Sequence, residues 1–254
     1  MAKNEERVAL VTGSGKGVGA GIVRVLCREG LRCVVHCNSN RTLAEKTLEE
    51  IRNAGGEAIL LQADVSDPVQ AASLVTQTVE QWGRLDLLVN NAAMQYNRFI
   101  DQYDVELLRK LWNINIGGYW RMIRAALPYL RRSPQPRIVN IASVHAKRPT
   151  CFDAGYAMTK GAIRMFTREL ALELGKEGIP VNAIDLGGTR IEFKTGNPPF
   201  LSYRPAETRN PHMNGKVRLV MPEEVGELVM YLAGEAASAM TGSCIRLDGG
   251  QMLN

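Results

Sequence analysis

The chain has 254 residues, 45% of them hydrophobic and 22% charged, with a formal net charge of +5; this suits one well-buried α/β domain and requires no second. Its basic residues are interspersed with acids along segments such as Arg41 to Arg52 rather than gathered in an aromatic-studded patch, which argues against a nucleic-acid surface. Cys27, Cys33, Cys37, Cys151 and Cys244 form neither CxxC nor a histidine-associated cluster, so no metal site or disulfide framework is expected, and the charged start MAKNEER with no long apolar run points to a soluble cytoplasmic protein that spans no membrane.

The apolar run from Val8 to Thr12 predicts a first strand, followed at once by TGSGKGVG and a helix from Val18 to Arg28. Gly13, Gly17 and Gly19 let the backbone turn sharply, and with Ser14, Lys16 and Val18 they form a helix N-terminus whose free N–H groups suit a pyrophosphate. Further strands are expected at Cys33 to Cys37, Ala58 to Ala63 and Leu87 to Asn90. A long helix around Leu107 to Leu130 carries an apolar row of Leu108, Leu111 and Met122, which Asn115 interrupts; a buried amide there needs partners, whether its role is structural or functional. A strand at Ile138 to Ala142 leads into Ser143. The next helix bears Tyr156 and Lys160 near its start and an apolar stripe of Ile163, Phe166, Leu170 and Leu174, and strands at Pro180 to Ile184 and Cys244 to Leu247 complete the series. Such alternation predicts a single domain over residues 1–254, a Rossmann-type doubly wound parallel sheet of about seven strands with helices on both faces. Ligands of such sheets bind at the carboxyl ends of the strands, where the glycine loop, Asn91, Ser143 and Gly187 converge.

Tyr156 and Lys160 stand four apart and so share a helix face. An ammonium beside a phenol favours its ionised form, and with a hydroxyl from Ser143 the phenol becomes a workable acid and base.

The glycine spacing after Thr12, with Ser143 in IVNIASV and Tyr156 and Lys160 in YAMTK, resembles the short-chain dehydrogenase/reductase family. The likeness covers nearly the whole chain. Asp64 and Val65 in LQADVSD look like that family's adenine-contacting pair, NNAA at Asn90 to Ala93 looks like its NNAG segment, and MTGSCIRLDGG looks like its closing strand. In VNAIDLGGTR, Leu186 stands where the family has proline, beside the nicotinamide turn. The resemblance implies catalysis by Asn115, Ser143, Tyr156 and Lys160, with Asn115 holding a water that links the lysine to solvent. It also implies cofactor contacts from Asn91, Ala92, Gly187 and Thr189 besides the glycine loop, Tyr156 and Lys160, and a homotetramer built on the two long helices, with Ala126 and Ala171 as outward contact positions.

The second strand speaks to cofactor choice. Family members that prefer NAD(H) end it on an acid, whereas the slot here is Cys37 and no carboxylate follows before Glu45. Lys16, Asn38, Ser39 and Arg41 offer charge and hydrogen bonds to a 2′-phosphate, so NADP(H) is expected over NAD(H). A proline-rich stretch at 188–221 resembles a substrate lid and carries Arg190, Lys194, Arg204, Arg209, Lys216 and Arg218, while His145, Lys147 and Arg148 follow the serine. A basic mouth fits an anionic small molecule; solvated loop charges or cofactor contacts fit the same pattern. Sugars, sugar acids and keto compounds lead the candidate substrates, with 3-oxoacyl thioesters as the rival class and an NADPH-binding pseudoenzyme as the non-enzymatic alternative.

Overall fold

A computed structural model describes residues 7–149, 153–190 and 218–253. The apolar runs form seven strands: β1 (Val8–Val11), β2 (Arg32–Cys37), β3 (Ala58–Gln62), β4 (Leu87–Asn90), β5 (Arg137–Ile141), β6 (Val181–Leu186) and β7 (Cys244–Leu247). All pair in parallel, in the order β3-β2-β1-β4-β5-β6-β7. Such strands are buried on both faces and therefore read as continuous apolar runs instead of alternating ones. The connecting helices are α1 (Gly17–Arg28), α2 (Arg41–Asn53), α3 (Pro68–Trp82), α4 (Val105–Trp112), α5 (Gly118–Leu130), α6 (Ala154–Gly175) and α7 (Pro222–Ala233). One core packs α1, α2 and α7 on a face of the sheet, through residues such as Ile22, Leu26, Ile51 and Val229. The other packs α3, α5 and α6 on the opposite face, through Leu74, Met122, Leu170 and Leu174. Strand order reverses between β1 and β4, which opens a crevice at their carboxyl ends.

Two expectations change. The helix around Leu107 to Leu130 is interrupted: α4 ends at Trp112, a π-helical turn occupies Asn113–Gly117, and α5 begins at Gly118. Strand β6 also runs past Ile184, through Leu186. Leu186 pairs with Leu247, and the Gly187 N–H donates to the Leu247 carbonyl at 2.9 Å. Of the expected lid, 191–217 lies outside the described residues.

Candidate active site

The glycine loop closes β1 onto β4. The Thr12 hydroxyl accepts from the backbone N–H groups of Asn91 (2.9 Å) and Ala92 (3.0 Å), and Asn91 Nδ2 donates to the Thr12 carbonyl at 2.8 Å. Gly13 sits at φ +66, and a Cβ on it would lie 3.0 Å from Ala92 Cα. A Cβ on Gly19 would lie 2.5 Å from the Gly13 carbonyl oxygen, so the helix can approach the loop this closely only with glycine. The first helical bond of α1 runs from Ala20 N–H to the Lys16 carbonyl (3.3 Å). The amides of Gly17, Val18 and Gly19 precede it, and Lys16, exposed at the N-cap, makes no side-chain cap. Those amides and the positive end of α1 fit a cofactor pyrophosphate.

Ser14 and His36 support the loop from behind. Ser14 Oγ donates to the Val11 carbonyl (2.7 Å) and accepts from the His36 N–H (2.8 Å), so its side chain faces the core and only its backbone is left to meet a cofactor. His36 is buried; its Nδ1 accepts from the Gly13 N–H at 2.8 Å, which leaves Nε2 to donate to the Ala63 carbonyl at 3.0 Å. Burial draws its pKa down to about 4. Neutral imidazole is the form that both contacts require.

Cys37 closes β2 and is buried, with Asn38, Ser39 and Arg41 exposed beyond it. The Asn38 carbonyl accepts from Gln62 Nε2 at 2.7 Å, and Arg41 Nε donates to Glu45 at 2.8 Å, an exposed pair of small energetic weight. Val65 packs in the α3/α5 core. Thr189 forms an isolated bridge with Val220 just beyond Gly187.

At the carboxyl end of β5 the three residues of the proposed proton device meet. The Ser143 hydroxyl accepts from the His145 N–H at 3.2 Å and lies near enough to the Tyr156 phenol to act on its pKa. Lys160, buried one turn along α6, holds Nζ 5.5 Å from the Tyr156 ring centroid and donates to the Ile141 carbonyl at 2.7 Å. Burial pushes the Tyr156 phenol up to about 12, Ser143 opposes this, and Asp153 adds to it. Burial also brings the Lys160 ammonium down to about 7. The expected lowering of the tyrosine by the lysine is thus not what dominates here. The lysine's hydrogen bond goes to a carbonyl, and the phenol's desolvation outweighs its support. A phenol in this state is a proton donor.

Asn115 lies in the π-helical turn, fully buried. Its Oδ1 accepts from the Met94 N–H (2.7 Å), and Nδ2 donates to the Met94 carbonyl (2.9 Å) and Thr159 Oγ1 (3.1 Å). Both amide donors are therefore committed to joining the segment after β4 to α6. Of the basic residues of the expected substrate mouth, Arg190 is exposed, Arg218 pairs with Glu224 at 2.7 Å, and Lys147 and Arg148 share with Arg164 and Arg246 the lining of a cavity of about 450 Å³. Lys194, Arg204, Arg209 and Lys216 lie outside the described residues.

Four residues beyond those expected build this site: Thr12, His36, Tyr119 and Asp153. Asp153 caps α6 by accepting from the Tyr156 N–H (3.0 Å), and it also accepts from the Asn97 N–H (3.0 Å) and the Tyr103 hydroxyl (2.6 Å). An aspartate three residues before the tyrosine at a helix start is a legible capping signal. Nothing local marks the other three.

Residues 7–198 match the family described as short chain dehydrogenase. The chain is 31% identical to glucose 1-dehydrogenase 2 of Bacillus subtilis, over 97% of this chain and 95% of that protein. It is 30% identical to a 3-oxoacyl-[acyl-carrier-protein] reductase of Synechocystis, over 97% of each. Among solved structures, a short chain dehydrogenase from Burkholderia cenocepacia in complex with NADP superposes with a TM-score of 0.88 at 27% identity, covering 98% of this chain and 99% of that one.

Proposed function

The chain belongs to the short-chain dehydrogenase/reductase family of oxidoreductases, and from that premise we propose that it transfers a hydride between NADP(H) and the carbonyl or secondary alcohol of a small oxygenated substrate. The observation that carries this reading is the meeting of Ser143, at the end of β5, with Tyr156 on α6, and the Lys160 ammonium 5.5 Å from the phenol ring centroid. When bound, the nicotinamide supplies the hydride. In the reducing direction Tyr156 gives its proton to the nascent alkoxide, and Ser143 donates a hydrogen bond to the same oxygen as charge develops there. The positive charge of Lys160 supports the phenolate left behind, and its Nζ holds the nicotinamide ribose hydroxyls. Because both donors of its side-chain amide are committed, Asn115 serves proton resupply through an acceptor, Oδ1 or its main-chain carbonyl.

NADP(H) is favoured by the absence of a carboxylate at Cys37 and by exposed Lys16, Ser39 and Arg41 around it, with Arg41 exchanging Glu45 for the 2′-phosphate. Asp64 and Val65 border the adenine, Asn91, Ala92, Gly187 and Thr189 the nicotinamide half. We assign the protein to the cytoplasm, as a homotetramer. The basic residues after Ser143 favour sugars, sugar acids and keto compounds that carry a negative charge; the Synechocystis relative's name supports 3-oxoacyl thioesters as the second class.

Oxidation of NADPH against a panel of sugars, keto acids and oxoacyl thioesters tests the proposal, with NADH as the comparison. Tyr156→Phe is expected to lower turnover by about two to four orders of magnitude while NADPH still binds, as read by fluorescence titration. Near-native turnover in that variant removes the tyrosine from the mechanism, and a higher efficiency with NADH overturns the reading of Cys37.

A further inference from the structure

The Lys160 ammonium lies between two aromatic rings. Nζ is 5.6 Å from the Tyr119 ring centroid and 5.5 Å from that of Tyr156, both within the range of about 6 Å over which a ring face attracts a cation. The rings come from different elements: Tyr119 is the second residue of α5, and Tyr156 lies one turn before the lysine on α6. The same two side chains share an acceptor, since the Tyr119 hydroxyl donates to the Ile141 carbonyl at 3.0 Å and Lys160 Nζ donates to it at 2.7 Å.

We propose that Tyr119 is a positioning residue for Lys160, whose ring and hydroxyl together fix the ammonium beneath Tyr156 and keep it charged. This rests on the catalytic reading of Tyr156 and Lys160. Burying a lysine penalises its charged form, and here burial is what lowers its pKa. Among the described residues, the groups placed against it are Tyr119 from α5, Tyr156 from its own helix, and the Ile141 carbonyl from the end of β5. Asp153 acts on Tyr156 and His145 rather than on the lysine. With no carboxylate among these groups, the ring faces and the one carbonyl supply the compensation. A phenol serves better than a plain hydrocarbon because its hydroxyl anchors the ring to the carbonyl that also holds Nζ. Burial keeps that hydroxyl protonated, and hence a donor, far above neutral pH.

Asn115, in the π-helical turn, and Tyr119, four residues on at the start of α5, lie on nearly one side of the helix. Asn115 and Tyr119 accordingly meet successive residues of α6: Asn115 contacts Thr159, and Tyr119 contacts Lys160.

The test is a direct titration of the lysine. Lysines carrying ¹³C at Cε are followed by NMR against pH in the cofactor-free protein, with the Lys160 signal assigned by its loss in Lys160→Ala, for wild type, Tyr119→Phe and Tyr119→Leu. Tyr119→Phe, which keeps the ring face but loses the anchoring hydroxyl, is expected to titrate between wild type and Tyr119→Leu. In Tyr119→Leu the Lys160 pKa is expected to fall by about half a unit or more, and kcat at neutral pH to fall several-fold with little change in the KM for NADPH. An unchanged Lys160 titration in a folded Tyr119→Leu protein overturns the proposal. Should the leucine variant not fold, 3,5-difluorophenylalanine at position 119 weakens the ring face while keeping its shape: a lowered Lys160 pKa relative to Tyr119→Phe supports the proposal and an equal one overturns it. Wild-type turnover in Lys160→Ala would instead sink the catalytic reading, and would leave the titration result standing.

Discussion

His36 couples the cofactor loop to the protonation state of one buried side chain. Its Nδ1 takes the Gly13 N–H, so protonating the ring turns that acceptor into a donor facing another donor. The folded-state pKa of about 4 lies below the ordinary histidine value of 6.5. The neutral ring is therefore the form the fold stabilises. Its contribution is fully present above about pH 6.5, declines as pH falls toward the folded value, and is absent below it. A displacement from 6.5 to about 4 corresponds to a few kcal/mol at most, at about 1.4 kcal/mol per unit. Urea unfolding of wild type and His36→Asn between pH 7 and pH 4 separates this contribution from that of the carboxylates. The wild type is expected to lose more stability over that interval than the variant, and parallel curves would exclude His36 as the source.

At the scale of elements, α1 and α7 cross closely because Gly21 and Gly226 lie at their contact: a Cβ on Gly21 would lie 2.4 Å from Pro222 Cβ, and one on Gly226 would lie 2.7 Å from Val25 Cβ. Both neighbours sit on the helix backbone, so the helices themselves must part. Gly21→Ala is expected to cost about 1–3 kcal/mol, whereas Gly175→Ala, with nothing within 4 Å of the added atom, should be neutral or slightly stabilising. Thermal melts of the two variants compare them, and an unshifted midpoint for Gly21→Ala would mean that the crossing relaxes freely. What the sequence made legible follows the same physics. Strands buried on both faces are apolar runs, glycines recur where backbones touch, and Tyr156 and Lys160 share a face because of their spacing. The break at Asn113–Gly117 was not legible, since a one-turn change of helical pitch leaves no periodic trace in so short a segment. Nor were the partners of Tyr119 and His36, which depend on elements distant in the chain. Asp153 was legible as a cap but not as a group whose charge acts on Tyr156.

Helices α5 and α6 carry large exposed apolar side chains. Ala126 and Ala171, expected to face outward, are buried in the core against the sheet, where small side chains let the helices lie close. The outward positions are instead Trp120, 56% exposed, Met165, 54%, and Leu172, 71%. Trp120 stacks on Phe166 with centroids 5.6 Å apart, which joins α5 to α6 at their outer surface. Large exposed apolar side chains on neighbouring helices mark an association surface, and covering the exposed part of each is worth about 1–2 kcal/mol. We therefore place the proposed tetramer's contact on this face, each copy meeting another about a two-fold axis so that α5 and α6 pack against their counterparts. On such an axis a single substitution acts twice per interface. Leu172→Glu puts two like charges close to the axis at once, and it is expected to dissociate the contact at micromolar protein while leaving the fold intact, because the side chain is wet in the monomer. Light scattering reports the mass, and circular dichroism the fold. A wild type that is monomeric at that concentration, or a Leu172→Glu protein that keeps the wild-type mass, would remove this face from the assembly.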